Sequence, residues 1–376
     1  MGKIKNLEFL RVIGCLAIVL LHLFKTDFLG VFRSVHFYNN IMHFTRDGQK
    51  AVELFFILSG FFFAFKLNTA ASLWEFLKKK IIRLYPVLIG CIILSGIISL
   101  FGILKFDLYS NFLVLCGALA TPFDKNMPGV QVRPYWYVSG MLWCLLTYYY
   151  LLKNFNKKFV NLIIFVITFV TYALVIQVNG GKINNGCPTI YYIVTSKLLR
   201  AFAGIGLGYF IGNWWRENGE RISQISLNIY QKLLCTVAEL ACLFFIIFNL
   251  MFHKVVYKND MIFIVIFAIT IMLFVAKKGY ISQVLNDTKL GDISVFFAKY
   301  TYSIYMVHAI VLYTAAGSVW KYHKDIVFLH PYLNFCVTML VMLGLGVVMY
   351  HFVEEPCMNY FKNRQNADVA KVLQER

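Results

Sequence analysis

The 376-residue chain is 60% hydrophobic with a formal net charge of +18, and its mean hydropathy is +0.67. So much apolar sequence exceeds what one soluble core can bury, which excludes a soluble globular protein and leaves a polytopic helical membrane protein. The 36 Lys and Arg residues are scattered between apolar runs, not gathered beside aromatic side chains; this excludes a nucleic-acid-binding domain and directs the charge toward anionic lipid headgroups and a phosphorylated cofactor.

In chain order, apolar runs long enough to cross a bilayer fall at about 7–24, 50–66, 83–104, 135–152, 159–177, 193–212, 231–250, 261–276, 296–318 and 333–353. The expected fold is therefore all-α: a polytopic transmembrane helix bundle of about ten spans. Lys78, Lys79, Lys80 and Arg83, with the pairs Lys157/Lys158 and Lys277/Lys278, favour an orientation with both termini inside. The stretch Leu108 to Thr121 is apolar but short, and Pro122, Pro128 and Pro134 follow it; it reads as a re-entrant or interfacial piece of an outer loop. Residues 1–361 form one integral-membrane domain, and 362–376 a short cytoplasmic tail. The first run lacks a small-residue cleavage site, so it reads as a retained span. Nine cysteines without a CxxC pair or a His/Cys cluster give no metal site. Gly204, Gly208 and Gly212 make a GxxxGxxxG face, a signature of close helix packing.

Several charge-capable side chains lie at membrane depth. Arg11 and His22 stand about 16 Å apart along the first helix; they read either as a topogenic charge and an interfacial side chain, or as two ends of a reaction path. Glu53 opens the second span, where it either caps the helix or fixes the tautomer of His22 and raises its basicity. Arg11, Lys79, Lys80 and Arg83 gather at the inner side, as ordinary inside charges or as a phosphate cradle. Tyr305 and His308 lie one helical turn apart on one face, forming a cavity wall or an interhelical bond. Glu239 is an ionisable group inside a span, and Lys197 and Arg200 open the sixth, where they either meet an anionic acceptor or snorkel.

These residues carry a resemblance. Arg11 and His22 form an R-x10-H pattern; ELFFILSGF runs from Glu53 to Phe61 and KIIRLYP from Lys80 to Pro86; Trp136-Tyr137, YSIYMVH from Tyr302 to His308 and Val353-Glu354-Glu355-Pro356 follow in order. Together they resemble the membrane-bound acyltransferase family 3 over almost the whole chain. The resemblance implies an O-acyltransferase, most often of acetyl. Such an enzyme passes the group from cytoplasmic acetyl-CoA to a hydroxyl of a cell-surface polysaccharide or lipid-linked glycan at the outer face of the plasma membrane. It implies His22 and Glu53 as catalytic residues, Arg11, Lys80 and Arg83 as contacts to the acyl-CoA, and Trp136, Arg200, Tyr305 and His308 as pocket lining, with no metal. Lys80 stands where relatives often have arginine, a point charge in place of a fork. Relatives often carry an esterase-like domain after the last span; here the chain is expected to act alone or hand its product to a partner. The rival reading is a transporter or flippase for a glycolipid or small anion, with Arg11, His22, Glu53 and Glu239 as its relay. It calls for duplicated halves with broken helices, and the sequence has neither.

Overall fold

A computed structural model describes residues 4–25, 48–67, 69–121, 135–183, 189–190, 194–251, 260–318 and 331–374. Helices occupy all ten expected positions: α1 (Lys5–Lys25), α2 (Ala51–Lys66), α3 (Leu73–Leu100), α5 (Trp136–Asn154), α6 (Lys157–Val178), α7 (Ser196–Gln224), α8 (Ile229–Met251), α9 (Met261–Ala276), α12 (Thr301–Gly317) and α13 (Pro331–Met349). Between and after them lie α4 (Leu108–Leu115), α10 (Tyr280–Asp287), α11 (Lys289–Ala298), a π-helical turn (Tyr350–Glu354) and α14 (Glu355–Gln374). Among the described residues, the one regular element that is not helical is a hairpin of two-residue strands, Thr189–Ile190 against Val194–Thr195. The C-terminal tail continues α14 as a helix.

Among the described residues, six helical segments are long and apolar enough to cross a membrane, or up to eight if each of two bent pairs counts as one span. The bends lie between α9 and α10, at 61°, and between α11 and α12, at 49°. The helices α5 and α7 are not among these candidates, and their surroundings explain why. Both contribute many buried residues, so tyrosines, glycines and an arginine are sheltered there by protein. Lipid-grade apolarity is demanded only of helices on the perimeter. The outer helices show that demand in their exposed side chains: Ile89, Ile93 and Ile97 on α3, Phe165 and Phe169 on α6, Leu234 and Val237 on α8, Leu340 and Val341 on α13.

Helix α7 runs on to Gln224, beyond the expected end at 212, and two further boundaries shift for local reasons. Helix α3 begins ten residues before the apolar run, because the Ser72 hydroxyl accepts from the Glu75 amide at 3.1 Å and the Glu75 carboxylate accepts from the Ala71 amide at 2.7 Å, a capping pattern that starts the helix in polar sequence. Pro86 thus lies inside α3, not at its entry. Helix α4, capped by the Asp107 carboxylate on the Ser110 amide, spans eight residues. That is about 12 Å, too short to cross.

The centre of the bundle is the seam between α2 and α7. A Cβ added at Gly60 would lie 2.0 Å from the Ile205 carbonyl oxygen, at Gly208 1.9 Å from that of Ile57, and at Gly212 2.5 Å from that of Phe61. The two backbones are therefore in direct contact, and the glycine face is a packing face, as its spacing predicts. Gly208→Leu is expected to force the helices apart and lower stability by about 3 kcal/mol or more, whereas Gly344→Leu, in open space on α13, is expected to leave it unchanged. Thermal unfolding in detergent reads both; equal behaviour of the two variants would refute the seam.

Candidate active site

The first two turns of α12 are fixed to three neighbours. The Cys15 thiol donates to the Thr301 carbonyl at 3.4 Å, the Tyr302 hydroxyl to the Leu84 carbonyl at 2.6 Å, and the Tyr135 hydroxyl to the Met306 carbonyl. These bonds tie α12 to α1, α3 and the start of α5, and so set the position of His308. On α1, Arg11, Cys15 and His22 recur at spacings of four and seven, which puts them on one face.

At one end of that face, charges converge from several helices. Arg11 Nη1 lies 2.8 Å from Glu8 Oε2. Arg83 has Arg11, Glu8, Glu354 and Tyr137 as electrostatic neighbours; Lys80 has Arg83 and Lys66, and Lys66 also has Arg11 and Glu8. Four cations against two carboxylates leave two positive charges. Arg83 and Lys66 are exposed and Lys80 half-buried, so these cations are open to a ligand. Glu354 is buried and accepts from the Ser303 hydroxyl at 2.6 Å. It sits on the π-turn, a local widening of the helix that is frequent at functional sites.

Tyr137 joins this cluster to the interior. Its hydroxyl is 2.9 Å from that of Ser59, Arg11 and Arg83 are its charged neighbours, and its ring meets Tyr305 edge-on at 6.1 Å. The Tyr305 ring is 5.4 Å from His308, and His308 is 5.1 Å from His22. His308 is fully buried. Its Nδ1 bonds the Tyr305 carbonyl; a carbonyl only accepts, so Nδ1 carries the proton and the neutral ring presents its lone pair at Nε2. Nε2 has no partner among the described residues.

Beside Tyr137 lies a third group. The Phe56 ring is 4.8 Å from Tyr137 and 5.8 Å from Trp136, and the Arg200 guanidinium sits 5.3 Å from the Trp136 ring centre, with the Lys197 ammonium 5.8 Å from the same ring. Glu53, fully buried, accepts from the Tyr172 hydroxyl on Oε1 at 2.6 Å and from Arg200 Nε on Oε2 at 3.3 Å. Gly204 makes room for that carboxylate, since a Cβ there would come within 2.6 Å of Oε1.

The nine residues to which the resemblance gives site roles thus belong to one connected group. Arg11, Lys80 and Arg83 stand at the charged end, Tyr305, His308 and His22 in the interior, and Trp136, Arg200 and Glu53 beside them. Their internal pairing differs from expectation. The carboxylate expected to orient His22 has both oxygens engaged by Tyr172 and Arg200, and the imidazole beside His22 is His308. Sequence reasoning missed Tyr137, Ser59, Tyr172, Glu8, Lys66 and Glu354 as members. Ser59, Tyr137 and Glu354 lie inside the quoted motifs; Tyr172 is one of three hydroxyl residues in an apolar run and carries no signal. Glu239 belongs elsewhere: it is fully buried, and its oxygens accept from the Gly279 and Ser282 amides at 3.2 and 3.1 Å. It caps the start of α10, where a carboxylate suits the exposed amides, and the four-member relay of the transporter reading loses this residue to a structural role. Among the described residues no three His, Cys, Asp or Glu side chains gather as a metal site.

The family model described as an acyltransferase domain, that of acyltransferase family 3, matches residues 4–351. No curated protein and no solved structure matches the chain.

Proposed function

Since the chain belongs to acyltransferase family 3, whose members are membrane proteins, we propose that it is an O-acetyltransferase. It takes the acetyl group of acetyl-CoA at the cytoplasmic side of the plasma membrane and delivers it to a hydroxyl of a cell-surface polysaccharide or its lipid-linked precursor at the outer face, with both termini inside. The observation that carries this reading is the unbroken run of side chains from the open basic cluster, through Tyr137 and Tyr305, to the paired imidazoles of His308 and His22.

The cluster has the charge and the exposed cations that a coenzyme's phosphates require. Arg83 and Lys66 hold them, Lys80 adds a point charge, and Arg11, already paired with Glu8, orients the approach. His22 removes the proton of the acceptor hydroxyl as its oxygen attacks the thioester carbonyl, and returns a proton to the departing sulfur. His308, with its tautomer fixed, keeps a lone pair turned to the same interior, where it accepts a hydrogen bond while His22 carries the proton. Trp136 and Tyr305 wall the space and exclude water.

Transfer of label from acetyl-CoA to surface glycan, in membranes containing this protein, tests the reading; no transfer to any hydroxyl acceptor would overturn it. In the same assay Arg83→Ala is expected to raise the KM for acetyl-CoA about 10- to 100-fold with kcat little changed, the effect of one lost charge-assisted bond to phosphate. An unchanged KM would remove Arg83 from the coenzyme site.

A further inference from the structure

Arg200 is 1% exposed. Its Nε is directed to Glu53, while Nη1 and Nη2 have no hydrogen-bond partner among the described residues. A guanidinium carries five N–H donors, and four of them belong to these two nitrogens. Leaving such donors buried and unpaired is among the more costly arrangements a protein contains, so a group held this way is prepared for an acceptor that arrives.

Three features define that acceptor. Glu53 already neutralises the guanidinium, and Tyr172 holds Glu53 from behind, so the site has no strong demand for a standing anion. It offers hydrogen bonds in a dry setting, where oxygen gaining charge for an instant is stabilised most. Trp136 lies against the guanidinium, and Tyr305, whose ring touches His308, is within electrostatic reach of it. We infer that Arg200 is a catalytic residue for the proposed acyl transfer, its unpartnered Nη1 and Nη2 forming the oxyanion hole that receives the acyl carbonyl oxygen. This rests on the acyltransferase reading.

In the step concerned, the acceptor oxygen forms a bond to the carbonyl carbon while its proton passes to His22. The carbonyl π pair moves onto oxygen, and the resulting alkoxide is held by Arg200. When that pair returns, the carbon–sulfur bond breaks, and sulfur leaves with the proton from His22. Glu53 and Tyr172 are positioning residues, since they touch Arg200 and each other but not the carbonyl.

The test compares acetyl-CoA with its dithioester analogue, in which the carbonyl oxygen is sulfur, a poor hydrogen-bond acceptor. Wild type should strongly prefer the oxygen donor. Arg200→Lys, which keeps the charge opposite Glu53 but lacks the fork, and Glu53→Gln/Arg200→Gln, which leaves no buried charge, should both lose about 10²- to 10³-fold in kcat with acetyl-CoA. KM should stay within about twofold, and the preference for oxygen over sulfur should fall toward unity. Variants that are slowed equally with both donors, or not slowed, would overturn the oxyanion hole while leaving the acyltransferase standing. A wild-type protein inactive with every acyl-CoA and hydroxyl acceptor would overturn the acyltransferase reading, and the oxyanion hole with it.

Discussion

His22→Ala is expected to lower acetyl transfer by at least about 10³-fold while the protein accumulates, inserts and unfolds as wild type does. General-base catalysis by a positioned imidazole contributes about 10²- to 10⁴-fold, and His22 is the half-buried member of the imidazole pair, with surface left for an acceptor to reach. His308, by contrast, is fully enclosed and fixed through Nδ1 to its own helix. The same enclosure separates their effects: His22→Ala removes a half-exposed ring at modest structural cost, whereas His308→Ala opens a cavity in the core and lowers stability together with rate. Label transfer measured beside thermal unfolding distinguishes them. Full activity in His22→Ala would transfer the role of base to another group.

Glu53→Ala should be the most damaging single change to the folded state among the site residues. It leaves the Arg200 charge buried with its Nε bond lost and the Tyr172 hydroxyl without its acceptor. Breaking one partner of a buried ion pair costs about 3–5 kcal/mol, a large part of a typical protein's whole margin. Removing both partners is a different matter, since apolar side chains of similar volume often replace a buried pair without loss. Glu53→Leu/Arg200→Met is therefore expected to recover most of the stability lost by Glu53→Ala and to recover no activity. Thermal unfolding and label transfer on the two variants give the answer. If Glu53→Ala unfolds like wild type, Arg200 has another counter-charge; if the double variant is active, the pair serves structure alone.

Hydropathy located every long helix that carries an apolar run, whatever surrounds it, and passed over the polar α14. It misplaced the start of α3 because the residues that begin that helix, Ser72 and Glu75, act through hydrogen bonds and not through apolarity. The bends at Lys277 to Gly279 and at Lys299 to Tyr300 leave no mark in an apolar average. Within the site, His22, Arg11 and Glu53 announced themselves by being costly where they stand. What the sequence could not convey was who meets whom. Glu53 and Arg200 are 147 residues apart, and both of the readings open for Glu53, cap or histidine partner, give way to an ion pair with a residue assigned separately to the pocket wall. Glu239 looked as costly as Glu53, and only the position of α10 explains it.

The glycine seam also limits how such a protein can move. Helices that meet through side chains can slide by a rotamer change, but α2 and α7 meet backbone on backbone at Gly60, Gly208 and Gly212, with no compliant layer between them. They behave as a stator, a fixed spine carrying Glu53 on one member and Arg200 on the other. Any opening that admits a donor or an acceptor must then be a displacement of the surrounding helices against that spine. Among the described residues two segments have a joint, the bends between α9 and α10 and between α11 and α12, and α12, which bears Tyr305 and His308, is itself held to α1, α3 and the start of α5.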